Sequence, residues 1–423
     1  MIDMEETRRD TADMIKIAEE AHELMVSGGD MCAAQAAQSA ELLQKLSDDD
    51  ISVSVIGQFK RGKSTLTNRL LGEDIMPVGI IPITSAVTMV RYGEKSCDVY
   101  FENGIIESID VAYLPNYISE EKNSDNRLGV RKVVLHTEAP FLKNGLTFVD
   151  TPGVGSFHKN NTQVAYEHMK ASDAVIFLLS VDSPINQIEI DFLYSTREFA
   201  GKFYFAVNKT DIVSKEDLDA YTVYCRSLLC ELMETDDITL FPVSSATGEG
   251  VETLKSQILY DCEHSIREIM RESTRKKLHD TVVSTLQQLG LYWNAMTMSY
   301  EALDDRFSEM RAFTDDRRSF AEAHNAAFEI RLNELKLVLA AKVCELFGME
   351  YKFDIDEMKL SQSSMKKDEY LDRVNSLCDE LLRKLSSILM YREENAYTVV
   401  RQIEDINKLT RRLRSIENRL SRM

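Results

Sequence analysis

Eight consecutive residues, Gly57-Gln58-Phe59-Lys60-Arg61-Gly62-Lys63-Ser64, have the glycine and lysine spacing of a loop that wraps phosphate groups. The apolar run ISVSVI precedes them and a helical pattern follows, which is the context such a loop requires. There the backbone N–H groups and the amino end of the helix face an anion, Lys63 adds a point charge, and Ser64 offers a hydroxyl to Mg2+. Thr65, next in line, joins Gly57, Phe59, Lys60, Arg61 and Gly62 among the residues expected to line the ligand.

Three more motifs stand in order downstream. Asp150-Thr151-Pro152-Gly153 follows the strand-like LTFV, 87 residues beyond Lys63. A carboxylate at that point can hold the Mg2+ shell, and the Gly153 N–H can meet a γ-phosphate without side-chain obstruction. Asn208-Lys209-Thr210-Asp211 follows KFYFAV. The Asp211 carboxylate can accept two hydrogen bonds, from guanine N1–H and the 2-amino group, and adenine offers no such pair of donors. Ser244-Ser245-Ala246, after TLFPV, is a short loop whose backbone can approach the guanine carbonyl oxygen. Between the phosphate loop and Asp150 lies Pro82-Ile83-Thr84-Ser85-Ala86, a candidate switch ordered by GTP. Its Thr84 is the expected ligand of Mg2+ and the γ-phosphate, in preference to Thr88, which falls inside the strand SAVTMVRY. The expected cofactors are therefore GTP/GDP and Mg2+, with Ser64, Thr84 and Asp150 as metal ligands. Lys63, Thr84 and Gly153 are the groups expected to assist hydrolysis to GDP and phosphate.

The elements that must carry these motifs are legible as an alternation. From Ile51 to about Cys262, ISVSVIG, CDVYF, KVVLHT, LTFVD, AVIFLLSV, KFYFAV and TLFPVS alternate with helical stretches, which predicts an α/β domain with a mainly parallel sheet between helices. Residues 5–46 read as two helices broken at Gly28-Gly29. All seven prolines lie between Pro77 and Pro242, and after Gly250 only Gly290 and Gly348 interrupt 173 residues, so the remainder should be long helices. Within it Val374, Leu377, Leu381, Leu385, Ile388 and then Ile406, Leu409, Leu413, Ile416, Leu420 step by three and four, the spacing of a helix–helix seam. The expected domains are 1–50, helices of a bundle; 51–262, the nucleotide domain; and 263–423, an all-α bundle or stalk.

Composition narrows the partners. With 50 basic and 70 acidic residues the 423-residue chain carries a formal charge of −20, which repels phosphate backbones and argues against nucleic acid. Seven cysteines are scattered without CxxC pairs, so neither a zinc site nor a disulfide framework is indicated, and a reducing cytoplasm fits. The charged start MIDMEETRRD does not read as a secretory signal, and no stretch approaches the roughly 20 apolar residues of a membrane span.

The run from Gly57 to Ser64 with Thr65-Leu66-Thr67-Asn68, then Leu71-Gly72-Glu73-Asp74-Ile75-Met76-Pro77, Pro82-Ile83-Thr84-Ser85-Ala86, Asp150-Thr151-Pro152-Gly153-Val154-Gly155-Ser156 and Asn208-Lys209-Thr210-Asp211, closely resembles bacterial dynamin-like proteins over roughly residues 51–250. The resemblance implies a mechanochemical GTPase that dimerises through its nucleotide faces and passes switch movement into a helical bundle built by the amino-terminal helices and those after residue 255. Two positions depart from relatives. Eukaryotic dynamins carry a Gln-Ser pair where Phe59-Lys60 stands here, and Ras-like proteins carry glutamine where Val154 stands, so the group that positions the attacking water is not evident. Guanylate-binding proteins carry an arginine at the position of Lys60, which makes Lys60 or Arg61 the candidate cation for the transition state.

Family members touch membranes through a tip at the far end of the stalk. The candidate here is Leu346-Phe347-Gly348-Met349-Glu350-Tyr351-Lys352-Phe353, within a tip region spanning 346–364. The last turns, with Lys408, Arg411, Arg412, Arg414, Arg419 and Arg422, form a basic helix suited to anionic lipid or to the acidic remainder of the chain. Expected partners are thus guanine nucleotide, a second copy through the GTPase domains and a peripheral membrane contact at the inner face of the cell membrane. About 160 residues after the nucleotide domain make a short stalk, as in a truncated or compact member. Two alternatives compete: a soluble regulatory or assembly GTPase, and a helical scaffold whose nucleotide switch turns over slowly.

Overall fold

The computed structural model describes residues 4–47, 51–58, 60–76, 87–101, 103–119, 122–123, 126–143, 145–150, 172–323, 328–348, 351, 367–391 and 396–423. The chain divides into two compact units, one built around Gln44–Lys277 and the other gathering Ile15–Leu43 with described residues from Leu278 onward.

The first unit is an α/β domain on a nine-stranded sheet: β1 (Ile51–Ile56), β2 (Val87–Tyr92), β3 (Ser96–Phe101), β4 (Ile106–Ile109), β5 (Val130–Thr137), β6 (Leu146–Asp150), β7 (Ala174–Ser180), β8 (Lys202–Asn208) and β9 (Leu240–Pro242). Their order is β4-β3-β5-β2-β6-β1-β7-β8-β9. Strands β6, β1, β7, β8 and β9 are parallel neighbours, and the antiparallel pairings are confined to the β2, β3 and β4 side. Each run that reads as a strand in the sequence forms one. Strand β4 has no counterpart among those runs, because its residues IESI lie exposed at the sheet edge and carry no apolar alternation.

Helices cover both faces, so β6 and β7 are buried along their whole length, as continuous apolar strands should be. Val53, Val55, Ile176 and Leu178 join Leu66 and Leu70 of helix Lys63–Leu71 and Leu254 and Ile258 of helix Val251–His264 in one core. Ile56, Val175, Phe177, Phe205 and Val207 point the other way, to Phe192 of helix Gln187–Thr196 and Leu229 of helix Lys215–Met233. Each such buried side chain contributes about 1.5–3 kcal/mol relative to exposure, and together they fix the height at which every strand ends.

The second unit is all-α. Helices Tyr300–Ala323, Phe328–Phe347 and Lys367–Tyr391 pack on one another. The seam residues Val374, Leu377, Leu381, Leu385, Ile388, Ile406, Leu409, Leu413, Ile416 and Leu420 are all buried. Gln288 Nε2 donates to the Met31 carbonyl at 2.8 Å, and Arg419 meets Glu20 at 2.6 Å, so the amino-terminal helix pairs with part of the basic end. The wedge expected at residues 346–353 is corrected in part: Leu346 and Phe347 are each only 2% exposed and belong to the core. Residues 349–350 and 352–364 lie outside the described residues. Among the described residues no helix is long and apolar enough to cross a membrane.

Beneath the sheet, before β7, Asp173 is buried between two ammonium groups, 3.0 Å from Lys45 Nζ and 3.6 Å from Lys277 Nζ. It also accepts from the Ser52 N–H and hydroxyl at 2.9 Å each. Burial alone would raise its carboxyl, yet the two lysines and the Ser52 N–H hold it below the usual range. Lys277 fares worse, pushed down to about 7 by burial and by Lys45, because one carboxylate serves two cations. Its unfolded state binds more protons between about pH 7 and 10.5, so this group makes folding more favourable as pH rises through that window. Asp173→Asn should take the shared carboxylate from Lys45 and the buried Lys277 and cost about 3–5 kcal/mol of stability, read as a lower urea midpoint at unchanged slope. A midpoint within error of the unaltered protein would refute this assignment.

Candidate functional site

Because β6, β1, β7, β8 and β9 are parallel, their carboxyl ends open on one edge, and the chain order reverses around β1. That crevice is where open α/β sheets bind ligands. Pairing of Val55 with Asp150, Ile56 with Phe177, Ser180 with Asn208, and Val207 with Pro242 brings the ends to a common level. Four of the sequence motifs leave the sheet at this edge.

The phosphate loop turns directly from β1 into helix Lys63–Leu71, and two of its glycines are sterically required. A Cβ on Gly57 would stand 2.6 Å from the Leu178 carbonyl, and one on Gly62, at φ +95°, would stand 2.4 Å from Asn208 Nδ2. Lys60 adopts a left-handed φ of 68° although it bears a side chain, a strained conformation of the kind that collects at functional loops.

Lys63 Nζ donates to the carbonyls of Gly57 at 3.0 Å and Gln58 at 3.3 Å. Burial pushes this amine down to about 8 against the pull of Asp150. Ser64 Oγ donates to Asp150 Oδ2 at 3.1 Å, while burial pushes the Asp150 carboxyl up to about 6, opposed by Lys63 and Ser64. Both partners shift toward their neutral forms, so desolvation outweighs their attraction. Among the described residues Asp150 Oδ1 is buried without a hydrogen-bond partner, as is Oγ1 of Thr88, which pairs with Asp150 across β2 and β6. An under-compensated amine, a hydroxyl and an orphaned carboxylate oxygen fit a polyanion with a divalent cation: Lys63 would hold the anion, and Ser64 and Asp150 the metal. As expected from sequence, Thr88 lies inside a strand.

On the base side Asn208 bridges two loops. Its Nδ2 donates to the Arg61 carbonyl at 2.7 Å, and its Oδ1 accepts from the Ser245 N–H and hydroxyl, both at 2.9 Å. Ser244 Oγ donates to Asp211 Oδ1 at 2.6 Å, leaving this exposed carboxylate oriented beside the 244–246 loop. Lys209, at φ 63°, reaches Asp182 at 2.6 Å. Arg69 binds the carbonyls of Ser245 at 3.0 Å and Ala246 at 2.7 Å, a contact that no motif signalled. Thr65 is half-buried in the first turn of its helix. Phe59, Thr84 and Gly153 lie outside the described residues.

The Arg61 side chain departs from expectation. It is 3% exposed and its guanidinium pairs with Glu189, Nε to Oε1 at 3.0 Å and Nη2 to Oε2 at 2.7 Å. The remaining N–H groups go to the Ser180 carbonyl and hydroxyl and the Ser183 and Pro184 carbonyls at 2.9–3.2 Å. A guanidinium so committed is not the free cation expected to neutralise transition-state charge.

Comparison with known proteins bears on the same residues. The Dynamin family profile matches residues 53–211, from β1 through Asp211. A Caldicellulosiruptor protein described as uncharacterised, from the xynA 3' region, is 33% identical over 245 residues, 56% of this chain and 61% of its own. Dynamin-like protein 2 of Campylobacter jejuni is 33% identical over 43% of this chain and 29% of its own length. Dynamin-like protein A of Bacillus subtilis is 23% identical over 64% of this chain and 24% of its own. The chain spans less than two thirds of the length of each of these relatives. Residues 53–211 match the Dynamin family, and over this domain the chain is similar to the bacterial dynamin-like proteins.

Proposed function

We propose that this chain binds GTP with Mg2+ and hydrolyses it to GDP and phosphate at the crevice around β1. The observation that carries the reading is the convergence at one sheet edge of Lys63, Ser64 and Asp150 on one side with Asn208, Asp211 and the 244–246 loop on the other. Bound Mg2+ would supply charge to the β- and γ-phosphates. Lys63 binds the anion, Ser64 and Asp150 orient the metal shell, and Asp211 recognises the guanine edge. Phosphoryl transfer asks for positioning and charge neutralisation more than for covalent help.

With the Arg61 guanidinium held by Glu189, the cation of the transition state comes from Lys60 or from a facing second copy. This favours self-association through the nucleotide faces, in keeping with the match of residues 53–211 to the Dynamin family. We place the action at a membrane surface, reached peripherally; the exposed basic side chains of Arg411, Arg414 and Arg422 suit anionic lipid.

Asp211→Ala should weaken GDP binding by about 100-fold or more, through loss of two hydrogen bonds to one carboxylate, while ADP binding stays as weak as before; equal GDP affinity would remove Asp211 from base recognition. Lys63→Ala should lower GTP turnover by at least about 100-fold in a protein whose melting is unchanged, and retained turnover would put the phosphates elsewhere. Specific activity should rise with protein concentration and again with anionic liposomes. A flat response to concentration refutes assembly-dependent turnover, and failure to co-sediment with liposomes in any nucleotide state refutes the membrane reading.

A further inference from the structure

Resting on the nucleotide reading above, we infer that Glu189 and Arg61 are positioning residues: a buried pair that clamps the phosphate loop to the segment 180–186, which in turn steadies the guanine loop. Arg61 joins three parts of the site. Its guanidinium is saturated by Glu189, Ser180, Ser183 and Pro184. Its carbonyl accepts from Asn208, whose other amide atom holds Ser245.

The segment opposite is equally tied. Glu189 and Asn186 form a reciprocal cap at the start of helix Gln187–Thr196, Glu189 Oε2 accepting from the Asn186 N–H at 3.2 Å and Asn186 Oδ1 from the Glu189 N–H at 3.1 Å. Asn186 Nδ2 then donates to Gln58 Oε1 at 2.8 Å, back on the phosphate loop. Tyr221 OH donates to the same Ser180 and Ser183 carbonyls at 3.0 and 3.1 Å. Ser180 also bonds Asp182, the partner of Lys209 in the guanine loop.

The physical need lies in the backbone. Arg61 is flanked by Lys60 at φ 68° and Gly62 at φ 95°, two left-handed residues that a short loop holds only when its surroundings over-determine them. A buried ion pair adds little net stability over apolar packing, whereas its directional bonds specify one geometry, here that of the loop between them. Glu189 therefore acts on the nucleotide through Arg61 and touches neither phosphate nor base.

The test measures GDP affinity and amide hydrogen exchange for Glu189→Ala, Arg61→Ala and the double variant. GDP lacks the γ-phosphate, so its affinity does not report transition-state charge. Each single variant should weaken GDP binding about 10- to 100-fold, the scale on which partners of ligand residues act. Exchange at the Arg61 and Gly62 amides should quicken while that of β7 stays slow, and the double variant should lose no more than the worse single one. Glu189→Asp should restore part of the loss. Wild-type affinity and exchange in a folded Glu189→Ala, or losses that simply add, would overturn the proposal. Should Glu189→Ala not fold, Asn186→Ala keeps the ion pair and cuts the link to Gln58; faster exchange over 58–62 supports the clamp and unchanged exchange refutes it. If the unaltered protein binds no guanine nucleotide, the functional reading fails, and the exchange data still decide whether Glu189 holds the loop.

Discussion

A lysine amine buried between two backbone carbonyls, with the Asp150 carboxylate near it, is the constraint around which this domain is arranged. Lys63 cannot escape to water, because the loop that carries it is closed by Gly57 against β7 and by Gly62 against Asn208. Its charge is compensated only in part by Asp150, whose own burial works against ionisation. Such an arrangement is costly in isolation and gains most from a ligand that is itself strongly anionic and carries a divalent cation. The sheet makes it sustainable: parallel strands of fixed height, packed from both faces, present Lys63, Ser64 and Asp150 at one level without further adjustment.

The polar network behind the loop has the complementary task. Phosphate binding by backbone N–H groups demands left-handed residues, and left-handed residues demand restraint. Arg61, Glu189, Asn186 and Asn208 supply it from behind the loop, so the ligand-facing side is left to backbone. The same network fixes one use of positive charge in this loop: Arg61 is spent on architecture.

Much of this was legible in the residue order. The strands of the α/β domain announce themselves as apolar runs, and the four nucleotide motifs are contiguous, so local spacing carries their meaning. The seam in helices Lys367–Tyr391 and Ala396–Leu420 was equally plain, since three-and-four spacing translates directly into burial. What escaped depends on distance along the chain. Glu189 is 128 residues from Arg61 and Ser245 is 176 from Arg69, and nothing local marks either pair. The Asn186-to-Glu189 spacing did carry a capping signal, and it would have located the start of that helix though not its partner. Strand β4 was invisible because an exposed edge needs no apolar pattern. Leu346 and Phe347 misled for the converse reason, since aromatic and aliphatic groups before a glycine serve a core as readily as a membrane.

Calorimetric titration of the unaltered protein with GDP and with ADP, each in the presence of Mg2+ and again in EDTA, tests the central claim most directly. Saturable heat with GDP, weaker binding when the metal is removed, and no measurable binding of ADP are the expected results. Equal affinity for the two nucleotides, or no heat with GDP, would contradict it.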